Sequence, residues 1–362
     1  MRVLLLLAWF VGSAPGMPSA APPSPARSAL VSTGPEAIEL DSRVWCIQHV
    51  RNGDLWLGTN GDGVYRYDGQ RLTHYARADG LSGLQVRDIQ EDREGHVLVS
   101  TTDGVFRFDG RNWTELEVEA APSGTGWRLD PDDVWIVVEP GVGGPCRYDG
   151  ERLYRLELSK SPAEDAHRAK YPESSFPPAG VYSIYEDRRG HLWFGTAGAG
   201  LCRYDGQTLS WLYEERLTTT PTGGAFGIRS IYEDPSGDFW ICNTRQRFAF
   251  SPETSLDGEY HLLAYEKKAG LPDARSDTGE NFTYCPSITA DDAGSLWLAC
   301  GNDGVWKYDG ESVTKYDVGD GAYAMRVHAD GEGGLWVGTL EHGAYTFDGE
   351  RFERFEPHGT KE

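Results

Sequence analysis

The sequence predicts an all-β fold, a seven-bladed β-propeller made of four-stranded antiparallel blades. Three observations predict it. One sixteen-residue motif recurs along the chain at a nearly fixed internal spacing. Each copy is followed by short β-prone runs broken by the same turn residues in the same order. No stretch beyond the N-terminus is apolar for the ~18 residues that a membrane helix needs.

The motif comes first because an internal repeat decides the whole architecture. Residues 181–196 read VYSIYEDRRGHLWFGT, residues 44–59 read VWCIQHVRNGDLWLGT, and residues 228–244 follow the same plan. The unit is V-x-x-I-x-x-D-x-x-G-x-L-W-x-G-T, then a Gly-rich link, then G-V/L-x-R-Y-D-G and a short apolar run. Its landmark aromatic falls at Trp56, Trp135, Trp193, Trp240, Trp297 and Trp336, with Leu98 in the second copy. Nine positions earlier stand Ile47, Ile89, Ile184, Ile231, Ile288 and Val327. Only the third copy breaks this spacing, around Trp127 and Leu129, where the first hairpin reads as shorter.

Each copy is expected to supply four strands. In the fourth they fall at 181–186, 191–196, 200–204 and 208–213. Asp187-Arg188-Arg189-Gly190 fits a type I turn closed by a left-handed glycine, and Asp205-Gly206 fits a tight hairpin turn. The recurring Asp92, Asp187, Asp234 and Asp291 are therefore turn residues whose carboxylates bond nearby backbone amides. One four-stranded sheet of this size cannot bury both faces. Seven arranged radially cover one another and leave only short edges, with the landmark Trp between sheets. Both chain ends are expected to supply complete blades, over 44–75 and 324–355, without exchanging a strand.

These residues carry a family resemblance. The V-x-x-I-x-x-D-x-x-G-x-L-W-x-G-T unit resembles the two-component regulator propeller repeat, over roughly Val44 to Phe355. The resemblance implies an exported sensor domain of the kind that commonly precedes a membrane helix and a histidine kinase. This sequence ends seven residues after Phe355 and carries no kinase, phospho-acceptor or DNA-binding segment. Any signalling is therefore expected from a separate chain, such as a separate sensor kinase.

Charge narrows the partners. There are 34 Lys and Arg against 56 Asp and Glu, a net charge of −22 that repels nucleic acid and anionic membranes. The 12 Trp and 18 Tyr argue against disorder. At the N-terminus, Arg2 precedes an apolar run over 3–11 and a small, Pro-rich segment over 12–26, the order of a secretory signal. The expected plan is a signal peptide at 1–26, cleaved between Ala14 and Ala26, and a Pro-rich tether and lead-in at 27–43. A single propeller follows at 44–358. The mature protein is expected to be periplasmic or extracellular, without membrane insertion. Cys46 is the first cysteine, so an N-terminal lipid is excluded.

The irregular parts mark the candidate site. Landmark positions are separated by 42, 37, 58, 47, 57 and 39 residues. The excess falls mainly at 160–179, 214–227 and 267–284, links from an outer strand to the next inner strand. Loops carry function more often than repeat cores do, although neutral drift would also lengthen them. Two positions before each landmark Ile or Val lie Trp45, Arg87, Tyr182, Arg229, Pro286 and Met325, large and chemically mixed. Trp127 is read as the third copy's equivalent. The fifth copy replaces its Gly-rich link with Asn243-Thr244-Arg245-Gln246-Arg247. The expected ligand-binding set is Trp45, Arg87, Trp127, Tyr182, Arg229, Arg245 and Arg247, with the arginines on the rim. Filling between blades, and pairing of the two link arginines with local carboxylates, are the plainer alternatives.

No catalytic constellation, metal site or cofactor is expected: there is no G-x-S-x-G elbow, H-E-x-x-H helix or Cys-x-x-Cys pair. His96 and His191, just before the second strand, are expected to face solvent. Cys146 and Cys202 occupy one position in adjacent copies and should not meet. Cys285 and Cys300 flank one hairpin, where a Gly bulge would turn them to opposite faces and a plain turn would oppose them. Three function classes remain. They are a binding or sensory propeller for a small ligand (sugar or peptide) or an envelope protein, a structural interaction platform in the envelope, and a lyase of the streptogramin-lyase type. The first is the expectation, without enzymatic activity.

Overall fold

The computed structural model describes residues 40, 43–121, 126–138, 144–172, 177–219, 227–272 and 283–357. The expected signal peptide at 1–26 and nearly all of the expected 27–43 lead-in lie outside the described residues, as do parts of the three long links. The fold is all-β, and the described residues form five four-stranded sheets and one of eight strands.

The first repeat shows why the motif makes a sheet. Its strands are Val44–His49, Leu55–Thr59, Val64–Tyr67 and Leu72–Tyr75, antiparallel and in chain order. The second strand is buried throughout, because it packs on neighbours on both faces. The fourth repeat places strands at Val181–Glu186, Leu192–Thr196, Leu201–Tyr204 and Leu209–Leu212, within a residue of the expected bounds. The seventh draws its strands from Ala324–Ala329 to Phe352–Arg354, all near the C-terminus.

The recurring aspartate does more than close its turn. Asp187 Oδ1 accepts from the backbone N–H of Arg189 and His191, while Oδ2 accepts from Trp193 Nε1 at 2.9 Å. Asp234 and Trp240 repeat this at 3.0 Å, as do Asp291 and Trp297 at 2.8 Å. In the second repeat, where Leu98 replaces the Trp, His96 Nδ1 meets Asp92 Oδ2 at 2.9 Å instead. His191 Nδ1 likewise lies 3.2 Å from Asp187. Each imidazole is only 22% exposed. The expectation of solvent-facing histidines is thus corrected: the aspartate draws them inward.

The third repeat departs from the plan. Strands Val134–Ile136, Cys146–Tyr148 and Leu153–Arg155 correspond to the second, third and fourth strands elsewhere. Val118–Ala120 adds a parallel strand to the outer edge. No innermost strand is assigned among the described residues. Trp127 and Trp135 are eight residues apart, whereas Trp45 and Trp56 are eleven apart, which leaves no room for a six-residue strand and its turn.

The fifth repeat departs in length. Its third and fourth strands, Arg247–Asp257 and Tyr260–Lys268, form a long hairpin. That hairpin lies alongside the fourth repeat, pairing Leu262 in parallel with Trp211, and so joins two four-stranded ladders into the eight-stranded sheet. Part of the excess length assigned to 267–284 belongs to this hairpin.

Each buried cluster joins neighbouring repeats. Trp56, Val64 and Tyr75 pack with Val86, Ile89 and Phe106, and Trp193 and Leu201 with Ile231 and Phe248. Val44, Ile47 and Leu57 pack with Ala344, Trp336 and Phe355, so the last repeat meets the first. Trp56 and Trp193 are 1% exposed, as expected for landmark residues between sheets.

Candidate functional site

The innermost strands meet at a central cavity of about 160 Å³, room for a few waters or one protruding ring. Trp45, Arg87, Tyr182, Arg229, Pro286 and Met325 all line it. Backbone register explains the convergence. Val44 faces Thr59 and Cys46 faces Gly58, so Trp45 is an extra, bulged residue. The same shift isolates Arg87, Tyr182 and Met325. A bulge re-aims its side chain, here toward the cavity.

Two of these residues form stacked pairs with two others. The Arg87 guanidinium lies 5.4 Å from the Trp45 ring centroid, and that of Arg229 lies 4.3 Å from Tyr182. Each pair sets the aromatic of one repeat against the arginine of the next, within cation–π range. Gly227 lets Tyr182 lie flat: its φ is +70°, and a Cβ there would sit 2.5 Å from the ring.

The next position along each strand stitches repeats together. Ser183 Oγ donates to the Ile228 carbonyl, Ser230 Oγ to Cys285 and Ser287 Oγ to Val327. Cys46 Sγ donates to the Arg87 carbonyl. Asp88 holds this position in the second repeat, facing the third, which shows no inner strand among the described residues. Its Oδ2 accepts from the Val137 N–H at 2.9 Å, and Oδ1 from Ile89 N–H and Gln90 Nε2. Burial pushes its carboxyl up to about 6, against the lowering effect of these bonds and of Arg326. Asp88 and Arg326 both line the cavity, and sequence reasoning missed them. Their signal was a charge at a position otherwise held by Ser or Cys.

The lining charges are three arginines, Arg87, Arg229 and Arg326, and one carboxylate, Asp88. The cavity is therefore a locally positive spot on a protein of net charge −22. Nε of Arg229, Nε of Arg326 and Nε1 of Trp45 are buried without a hydrogen-bond partner among the described residues.

Three expected site residues stand elsewhere. Trp127 is packed against Trp135, Phe194 and Tyr204 and borders a different cavity with Lys160, Gln207 and Tyr260. The missing inner strand carries it away from the centre. Arg247 is the third-strand arginine of the motif rather than a rim residue. It pairs with Trp240 in register, as Arg66 does with Trp56 and Arg203 with Trp193. Its guanidinium lies 3.3 Å from Asp238 and 3.5 Å from Asp234, which repeats the buried Arg66–Asp54 pair at 2.7 Å. Arg245 donates from Nε to Thr283 Oγ1 at 2.7 Å and lies over Trp306, outside the residues lining the cavity.

Described parts of the first two long links touch each other, and the second touches the fifth repeat's short link. Asn243 Nδ2 donates to the carbonyls of Leu217 and Gly227, and Lys170 pairs with Glu215 across two links. These links carry short helices at Glu164–Lys170 and Glu215–Thr218.

A sequence model of the family described as two component regulator propeller matches residues 39–61 and 175–198. No curated protein sequence matches the chain. Among solved structures, an extracellular domain of a one-component system from B. thetaiotaomicron is similar with a TM-score of 0.59 at 17% identity. The match covers 85% of this chain and 38% of that one, so this chain spans about two fifths of its length. Virginiamycin B lyase from Staphylococcus aureus is similar at TM-score 0.56 and 14% identity, covering 86% of this chain and 96% of the lyase. PorZ, a bacterial surface component of the type-IX secretion system of Porphyromonas gingivalis, is similar at TM-score 0.53 and 15% identity, over 85% and 46%. At these identities the likeness establishes a propeller fold. Residues 39–61 and 175–198 are thus similar to the two-component regulator propeller repeat, and the chain around them takes a propeller fold.

Proposed function

We propose that the chain is an exported, seven-bladed binding or sensory propeller that takes a small acidic ligand at its central mouth and signals through a separate chain. The observation that carries this reading is the convergence of two arginine–aromatic stacks on one cavity, Trp45 with Arg87 and Tyr182 with Arg229. Arginine supplies forked donors to a carboxylate, and an aromatic face suits the flat or apolar part of a sugar or peptide. The blade count follows from reading the eight-stranded sheet as two blades joined by one parallel pair. Export rests on the 1–26 segment and on the extracellular origin of similar folds.

The lyase reading has less support, because no histidine is among the described residues lining the mouth. The test is a thermal-shift screen of the purified protein against acidic and neutral oligosaccharides and peptides, followed by calorimetry. Stabilisation by carboxylate-bearing members alone supports the reading. Preference for neutral members, or turnover of a bound one, overturns it.

A further inference from the structure

Four repeats set one pair of residues face to face where the inner strand begins. Val44 faces Thr59, Val86 faces Thr101, Val181 faces Thr196 and Ala324 faces Thr339. The sixth repeat holds Cys285 and Cys300 at the corresponding positions. Ser287 pairs with Ala299 one step along, so the turn has shifted the register by one, as its glycine predicts. The extra residue, here Pro286, shifts the register back. The two shifts cancel, and the cysteines face each other instead of opposite sides of the sheet.

The sulfurs lie 2.7 Å apart, well inside the separation of two unbonded sulfur atoms. Cys285 is 2% and Cys300 7% exposed. Directly facing residues on antiparallel strands have Cα separations of ~4.5–5.5 Å, within the range that a disulfide spans. The other cysteines are placed differently. Cys46 donates to the Arg87 carbonyl, and Cys242 Sγ accepts from the Arg229 N–H. Cys146 and Cys202 belong to separate core clusters.

We propose that Cys285 and Cys300 form a disulfide that staples the inner strand of the sixth repeat to its neighbour. Pro286, between the staple and Ser287, lines the central mouth, so the bond fixes one wall of that site. The chemistry is ordinary exchange. A thiolate attacks an incoming disulfide, such as oxidised glutathione or the disulfide of an oxidoreductase, expelling one thiolate and leaving a mixed disulfide. The second cysteine thiolate attacks the protein sulfur of that bond and expels the other. Two S–H protons are lost, two electrons pass to the oxidant, and it leaves as two thiols. Both groups are buried once folded, so the bond forms while the repeat is still open.

The test uses the whole chain, unfolded and reduced, then refolded in a glutathione redox buffer. Both cysteines fall between Arg275 and Lys307, with no Lys or Arg between, so trypsin leaves them in one peptide. After alkylation without reductant, that peptide is expected two hydrogen atoms lighter than its dithiol form and unlabelled, with the other four cysteines labelled. Labelling of both Cys285 and Cys300 overturns the proposal. A second measurement compares the chain with the C285V/C300T variant, which restores the Val–Thr pair of other repeats. Refolding the parent in reductant should lower its Tm by about 5 °C, from a closed loop of 15 residues, and leave the variant unmoved. Equal behaviour of the two also overturns it.

Discussion

His49 Nδ1 and His328 Nε2 lie 3.2 Å apart with their rings stacked at 5.3 Å. They belong to the innermost strands of the first and seventh repeats, so this contact sits on the seam where the ring closes. One ring donates and the other accepts, which requires a neutral partner. Burial, then Arg326, then His49 pull His328 down to about 3, with Asp330 opposing. Burial also lowers His49, against Asp330 and Glu332.

The seam makes a prediction about acid stability. A histidine at about 3 when folded and about 6.5 when unfolded loses stability as pH falls below 6.5, because the unfolded chain then binds more protons. At pH 5 the loss is about 2 kcal/mol. Asp88, raised to about 6 by burial, Arg326 opposing, works the other way: its folded form binds more protons between pH 4 and 6. From pH 7 to 5 it adds about 1.4 kcal/mol. The two nearly cancel in the parent protein. Urea denaturation at pH 7 and 5 should show less stability lost on acidification in H328Q than in the parent, with His49 still contributing a loss, and more lost in D88N. Parallel pH profiles for all three proteins would contradict these assignments.

How much of this was legible depends on what repeats. The landmark Trp, the turn aspartates and the fourth repeat's strands could be read because repeated copies average out local accident. The bulged positions could be read because a repeat core tolerates little variety, so Trp45, Arg87 and Tyr182 stood out. Asp88 was marked only by a charge where other repeats hold Ser or Cys, since its role comes from the neighbouring third repeat, where it accepts from the Val137 N–H. Arg247 was misread because the fifth repeat's link is short. Without the Gly-rich landmark, the motif arginine read as part of a replaced link, and only strand register shows its partner to be Trp240.

Asp187 should matter more to stability than the indole N–H it binds. It accepts from Arg189 N–H, His191 N–H and Trp193 Nε1. D187A leaves three donors without this acceptor, at about 3 kcal/mol, whereas W193F removes one donor and some volume, at about 1–2 kcal/mol. Equilibrium unfolding in urea ranks the two. A greater cost for W193F would mean that packing, not the carboxylate, holds the turn.

Arg247 and the mouth arginines should separate cleanly. R247A strips partners from Asp234 and Asp238, although Lys268 still reaches Asp238 at 2.8 Å. A loss of about 2 kcal/mol of stability is expected, with ligand affinity unchanged once folded protein is counted. Calorimetry at a temperature where the variant is folded decides. Weakened binding with stability intact would return Arg247 to the rim.

The mouth itself yields the last prediction. With Asp88 ionised, the three lining arginines leave a charge of +2, and protonation of Asp88 raises it to +3. An acidic ligand should therefore bind more tightly as pH falls through about 6, the value to which burial raises Asp88, and D88N should abolish that step. R229A should cost about 1–3 kcal/mol of affinity, in the range of interface anchors. R229K should recover only part of it, since lysine lacks the planar fork that stacks on Tyr182. Y182F keeps the ring beneath Arg229 and should bind like the parent, whereas Y182A should weaken binding as R229A does. R229A, R229K, Y182F and Y182A touch no landmark Trp, so the melting temperatures of these four variants should move little. Salt should weaken the parent more than R229A, because a screened charge is already gone from the variant. Affinity independent of pH between 5 and 7, together with a tolerated R229A, would place the ligand away from this mouth.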